Sequence, residues 1–288
     1  MQIDLFGKKR YKINLHMHTT ISDGHRSPEE AAEFYRNADY DAVVFSDHRI
    51  FGEEREVNGL LVFSGAEYNT PTRDCRDGVY HVVGFGMEED PQVELGMAPQ
   101  EIIDRIHSAG GLAVLAHPAW SLNDPEQIMA LQDVDATEIY NSVSDAHHSR
   151  RPDSSLIVDM LASRGRFYPL LATDDAHYYD GSDQCKSWIM VEAEELSAKA
   201  VKEAIVNNRF YATQGPELHL MREGDEIVAK SSPCEEIYFL SNFVWTPRVF
   251  EQSGITEARY TPAEGELYVR AVAKDKNGRY AWSNIFPL

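Results

Sequence analysis

Two histidines one residue apart, in Leu15-His16-Met17-His18, are followed by Asp23 in a Ser22-Asp23-Gly24 turn. The residues before them alternate as a short strand does, and residues two apart on a strand share a face, so His16 and His18 project together. Two imidazoles held side by side are a chelate for a transition metal, and a turn carboxylate just past the strand end can join them. The juxtaposition recurs along the chain. Apolar runs lead into Asp47-His48, into Glu67, into His117-Pro118 and into Thr173-Asp174-Asp175-Ala176-His177. In parallel α/β barrels the C-terminal ends of the strands form the face where catalytic groups gather. His81 is the exception, because it falls inside its own apolar run. The nine residues His16, His18, Asp23, His48, Glu67, His81, His117, Asp175 and His177 are too many for one ion and enough for two or three. Asp175 is expected to be the ligand rather than Asp174, since only Asp175 lies two residues from His177. His107, His147, His148 and His219 look scattered and read as surface residues.

The elements that must carry these residues alternate. Ser27-Pro28-Glu29-Glu30 is a helix start, with an N-cap serine, proline at the first helical position and acids in the first turn; this helix is expected to run to about residue 40. Further helices are expected over 100–109, 153–163 and 197–207. Short apolar strands are expected over 41–46, 60–66, 79–86, 112–116, 135–141, 168–172 and 188–191. Strands alternating with helices predict a mainly parallel sheet, and about seven such units predict an α/β fold with a distorted (β/α)7-type barrel over residues 1–215. Beyond Pro216 the pattern becomes that of half-exposed strands, with Lys276-Asn277-Gly278-Arg279 as a hairpin turn. Residues 216–288 therefore read as a small all-β, sandwich-like appendage, with Tyr238, Trp245 and Trp282 in its core.

With 288 residues and 43% hydrophobic content the chain can bury a sizeable core. Its 47 acidic against 27 basic residues give a net charge of −20, poorly suited to gripping a nucleic-acid backbone. Bound metal ions would still let such a chain hold an anion. Cys75, Cys185 and Cys234 form no paired motif and read as free thiols of a reducing compartment. No membrane-spanning run is present and the first residues lack the apolar core of a signal peptide, so a cytoplasmic location is expected.

Taken jointly, His16-Met17-His18-Thr19 with Ser22-Asp23-Gly24, Ser46-Asp47-His48, Gly65-Ala66-Glu67, His81, His117-Pro118 and Asp175-Ala176-His177 resemble the PHP (polymerase and histidinol phosphatase) superfamily of metal-dependent phosphoesterases, in the order that family uses. Glu138-Ile139-Tyr140-Asn141 and the 209–216 stretch resemble its carbaryl-hydrolase-like branch, where a small β domain tends to follow. The resemblance implies two or three divalent transition-metal ions (Zn, Mn or Fe). One ion would take His16, His18, Glu67 and Asp175, a second Glu67, His81 and His117, and a third Asp23, His48 and His177. It implies a phosphoric ester hydrolase that cleaves a small phosphomonoester or phosphodiester through metal-activated hydroxide. A carbamate, ester or amide hydrolase using the same centre is the alternative. Asp23, His48, His177 and Asp174 are the expected catalytic residues. Arg49, Arg76 and Lys186 are candidate grips on a phosphorylated small molecule, with Arg73, Arg150 and Arg151 as weaker ones. Asp47, Glu138 and Asn141 are candidates for holding ligands in place. A phosphoester asks for a cation at the mouth of the site, and a carbamate asks for an apolar pocket.

Overall fold

Ser27 accepts a hydrogen bond from the Glu30 amide while the Glu30 carboxylate accepts from the Ser27 amide, a reciprocal cap that starts the helix Pro28–Asn37 where the sequence places it. The helix ends earlier than expected because Asp39 adopts φ 60 and the Tyr40 amide turns back to the Tyr35 carbonyl. The helices Ser155–Ala162 and Ala198–Val206 likewise fall inside their expected ranges, and Pro99–Ser108 lies one residue ahead of its own. This computed structural model describes residues 1–148, 150–245 and 248–288, and of His148 the backbone alone. His148, read above as a surface residue, therefore lies outside the described side chains.

The fold is mixed α/β, and the described strands do not close into a hydrogen-bonded (β/α)7 barrel. They form two sheets. The smaller has the order Leu170–Thr173, Ala136–Asn141, Leu112–Leu115, His81–Phe85, Gly65–Asn69, and only its first two neighbouring pairs are parallel. The larger carries Lys9–Asn14, Ala42–Val44 and Leu60–Phe63 as its parallel part. It continues antiparallel through Trp188–Glu192 and Phe210–Thr213. Isolated bridges between Met17 and Ala176, and between His48 and Glu67, join the two sheets at the strand ends.

The expected single run over 60–66 divides at Ser64. Leu60–Phe63 stays in the larger sheet and Gly65–Asn69 enters the smaller one. Gly65 permits the crossing, since a Cβ there would lie 2.3 Å from Val44 Cγ1 and 2.9 Å from the Gly84 carbonyl oxygen. The next connection, from Asn69 to His81, holds only the short 3-10 turn Cys75–Asp77. Without a crossover helix the two strands pair antiparallel, as a hairpin does.

Between the sheets lies a core of Ile13, Val44, Phe63, Phe85, Val114, Ile139, Leu170 and Ile189. Each such side chain contributes about 1.5–3 kcal/mol by leaving water. Ala31, Ala32 and Tyr35 of the first helix pack on Val43 and Val62. From Leu218 onward the described elements are strands, including the long pair Glu226–Leu240 and Val249–Tyr260. They continue the larger sheet, because Tyr280–Trp282 pairs with Phe210–Thr213. Trp282 is buried there, whereas Trp245 is 92% exposed, so its expected place in the core is corrected. It sits in the connection between the two long strands.

Candidate metal centre

Strand ends and the loops just past them supply eight of the nine expected ligands, and Glu67 lies midway along the strand Gly65–Asn69 instead of at a strand end. His16 and His18 follow the strand Lys9–Asn14, and both are buried. Asp47, beneath them, accepts from the Thr19 amide and hydroxyl and from the Ser22 amide and hydroxyl at 2.8–3.2 Å. It thereby holds the loop that carries Asp23. Gly24 lets this loop close on the strand end, since a Cβ there would come within 2.5 Å of the His18 backbone. His81 explains its own irregularity. Its strand runs antiparallel to Gly65–Asn69 and pairs it with Asn69, so its first residue shares a rim with the other strand's last.

The side chains converge in three groups. In the first, Nε2 of His16 and of His18 lie 3.3 and 3.1 Å from Glu67 Oε2, and 3.2 and 3.1 Å from Asp175 Oδ1. In the second, Glu67 Oε1 lies 2.6 Å from His81 Nδ1 and 3.4 Å from His117 Nε2. In the third, Asp23 stands 3.5–3.7 Å from ring nitrogens of His18, His48 and His177. Glu67 belongs to two groups and also faces His48 Nδ1 at 3.1 Å.

Hydrogen bonds on the far side of the rings select the atoms presented to the cluster. A carboxylate or carbonyl can only accept, so His16 Nδ1 donates to Glu138 Oε1 (2.7 Å) and His177 Nδ1 to the Asp175 carbonyl (2.7 Å). Both rings then present Nε2 as a lone pair. Glu138 also accepts from the His117 amide, Thr173 and Asn141, and Asn141 donates in turn to Asp175 Oδ2. His117 sits at φ 29, outside the usual regions for a non-glycine residue.

Divalent cations fit this arrangement. Asp175 Oδ1 and His48 Nδ1 are buried and have no hydrogen-bond partner, although basic or acidic atoms stand close to each. Ligand atoms 3.1–3.3 Å apart match the edges produced by bonds of about 2 Å to one ion. The field asks for positive charge as well. Burial disfavours the imidazolium form of His16 and His18, yet the surrounding Asp175, Glu67 and, for His16, Glu138 raise both, His18 to about 9. Burial would likewise raise Glu67 and Asp175, and the facing imidazoles hold both low instead.

Asp174, expected in a catalytic role, belongs elsewhere. Its buried carboxylate accepts from Tyr35, Ser142 and the amides of Cys185, Lys186 and Ser187, which fastens the 185–187 turn. Burial pushes its pKa up to about 6 against those donors. The expected phosphate grips are not brought to the site either. Arg49 donates to the Asn69 carbonyl, Arg76 lies exposed on Asp74, and Lys186 is exposed. Beyond seven candidate ligands, the cavity of about 180 Å³ is lined by Trp120, Val143 and Ser144. Trp120 was not anticipated, although its place three residues after His117 was a signal available in the sequence.

His219 is not the surface residue expected. It lies 2.5 Å from Glu217 and joins Asp4 in a further carboxylate–imidazole group. Arg10 already pairs with Asp4 there at 2.8 Å, so that group is neutralised by a side chain.

No protein-family model matches the chain, and no curated protein matches it. Among solved structures, all of the chain aligns with 97% of a two-domain protein from Bacteroides vulgatus containing a predicted PHP-like metal-dependent phosphoesterase, with TM-score 0.59 and 14% identity. A second likeness, covering 69% of this chain and 56% of the other, is to the lesion-specific endonuclease Q of Pyrococcus furiosus, with TM-score 0.50 and 16% identity. At these identities the likeness establishes the fold.

Proposed function

We propose that the chain is a metal-dependent hydrolase that cleaves a small phosphomonoester or phosphodiester, with two or three Zn, Mn or Fe ions. The observation that carries this reading is Glu67, whose two oxygens face two separate groups of imidazoles. Ions held at adjacent groups would supply Lewis acidity and an activated water for displacement at phosphorus. His16, His18, Glu67 and Asp175 would hold one, Glu67, His81 and His117 another, and Asp23, His48 and His177 a third. Asp23, 55% exposed, stands nearest solvent and can meet the incoming substrate. The buried residues Glu138 and Asn141 keep the ligand rings and Asp175 in register, and so exclude loose geometries. The charge of −20 and the lack of Lys or Arg among the described lining residues support a small molecule over a nucleic-acid strand.

Hydrolysis of a carbamate or carboxylic ester at the same centre is the second reading. The apolar lining by Trp120 and Val143 and the lack of Lys or Arg among the described lining residues favour it, as does the resemblance to the carbaryl-hydrolase-like branch. Release of phosphate from an aryl phosphate, measured beside release of phenol from an aryl carbamate and an aryl acetate, tests both. The first reading predicts phosphate release that chelation abolishes and Mn²⁺ restores. Carbamate or acetate turnover with no phosphate release would replace it with the second.

A further inference from the structure

We propose that Trp120 is a specificity-determining residue, a wall that selects substrates with a planar apolar group beside the scissile phosphoester. This rests on the phosphoesterase reading and names its substrate class. The Trp120 ring stands 5.0 Å from His117 and 5.4 Å from His81, steeply inclined to both. It therefore borders the second ligand group directly, half-buried in the cavity lining.

Its position is built rather than incidental. Trp120 lies in the four-residue helix Pro118–Ser121, entered through His117 at φ 29 and left through Leu122 at φ 56. The Ala119 amide donates to the buried Ser154 hydroxyl, and the Asn123 amide closes the turn on the Pro118 carbonyl. Val143 and Ser144 add to the lining, and Asn141 Oδ1 accepts from the Ser144 amide and hydroxyl. One residue, Asn141, thus ties this lining to the ligand network.

The chemistry of the lining selects against a second anionic group. A further phosphate is normally met by Arg or Lys, and neither lines the cavity among the described residues. At about 180 Å³ the space is smaller than the ~300–1,000 Å³ of drug-sized sites. It suits a scissile phosphate and one small ring, and an aromatic ring gains from an aromatic neighbour what an alkyl group does not.

The test compares benzyl phosphate with ethyl phosphate, whose leaving alcohols are of similar acidity, on the Mn²⁺-loaded full chain. Binding of benzylphosphonate and ethylphosphonate is measured beside it by calorimetry. Wild type should favour the benzyl member of each pair by about tenfold. Trp120→Ala should remove the preference mainly through KM, and Trp120→Phe should keep most of it. Equal handling of the two phosphonates by wild type, or a preference that survives in a folded Trp120→Ala, overturns the assignment. Selective binding of benzylphosphonate without phosphate release from either ester supports the wall and overturns the phosphoesterase reading instead.

Discussion

Glu138 Oε1 lies 2.7 Å from Nδ1 of His16, and through that bond it decides which nitrogen His16 turns toward Glu67 and Asp175. The same carboxylate accepts from the His117 amide, so one buried group sets ligands in two of the three clusters. Glu138→Gln keeps the shape and replaces an acceptor with a donor. Metal affinity, read by competition with a chelating dye, should fall by about 10–100-fold with the fold intact. Unchanged affinity would mean that Glu138 only packs.

Asp47 holds the Asp23 loop through Thr19 and Ser22, while His16, Glu67 and Asp175 are fixed without it. Asp47→Ala should release that loop and weaken the third group selectively. Elemental analysis of the folded variant should show about one ion fewer per chain than wild type. A proportionate loss of all ions would show that the loop supports the whole centre.

Arg270 is fully buried on the strand Tyr268–Lys274, and its guanidinium donates twice to Asp159 of the helix Ser155–Ala162, both at 2.7 Å. Asp159→Ala leaves that cation buried and unpaired, and should cost about 3–5 kcal/mol in urea unfolding. The double variant Asp159→Leu, Arg270→Met should recover most of the loss. A single variant as stable as wild type would show that water reaches Arg270.

His107 Nε2 lies 2.7 Å from Asp135 Oδ2, and neither residue belongs to the ligand set. That hydrogen bond, opposed by partial burial and aided by the charges of Asp135, Asp133 and Asp104, raises its pKa. A raised folded value means the contribution is full below the unfolded value of about 6.5 and is lost as pH rises through the folded one. The stability gap between wild type and His107→Gln should therefore be wider at about pH 6 than at about pH 9. A gap that widens with pH would reverse the assignment.

Much of the site is legible along the chain because its ligands come in short-range pairs. The pair His16 and His18 is conveyed by a spacing of two, whereas Asp175, at φ 50 past the end of Leu170–Thr173, reaches the imidazoles from a turn. His81 is not legible that way, since its place depends on an antiparallel pairing with Asn69, and a run of apolar residues does not state its direction. The break at Ser64 is hidden for the same reason, within a continuous apolar stretch whose halves join different sheets. Asp174 and Asp175 differ only in where the chain turns them. The second meets the imidazoles, as expected, and the first meets the 185–187 amides, a long-range outcome that the sequence does not convey. Arg49 and Arg76 draw attention as cations, yet their partners lie beside them at Asn69 and Asp74.

That Glu67 joins neighbouring metal groups is tested most directly by the metal content of the purified chain, set beside Glu67→Gln. Two or three transition-metal ions per folded wild-type chain, with loss of most of them in the folded variant, is the expected result. A folded wild-type chain that binds no divalent metal after Mn²⁺ or Zn²⁺ is supplied would contradict it.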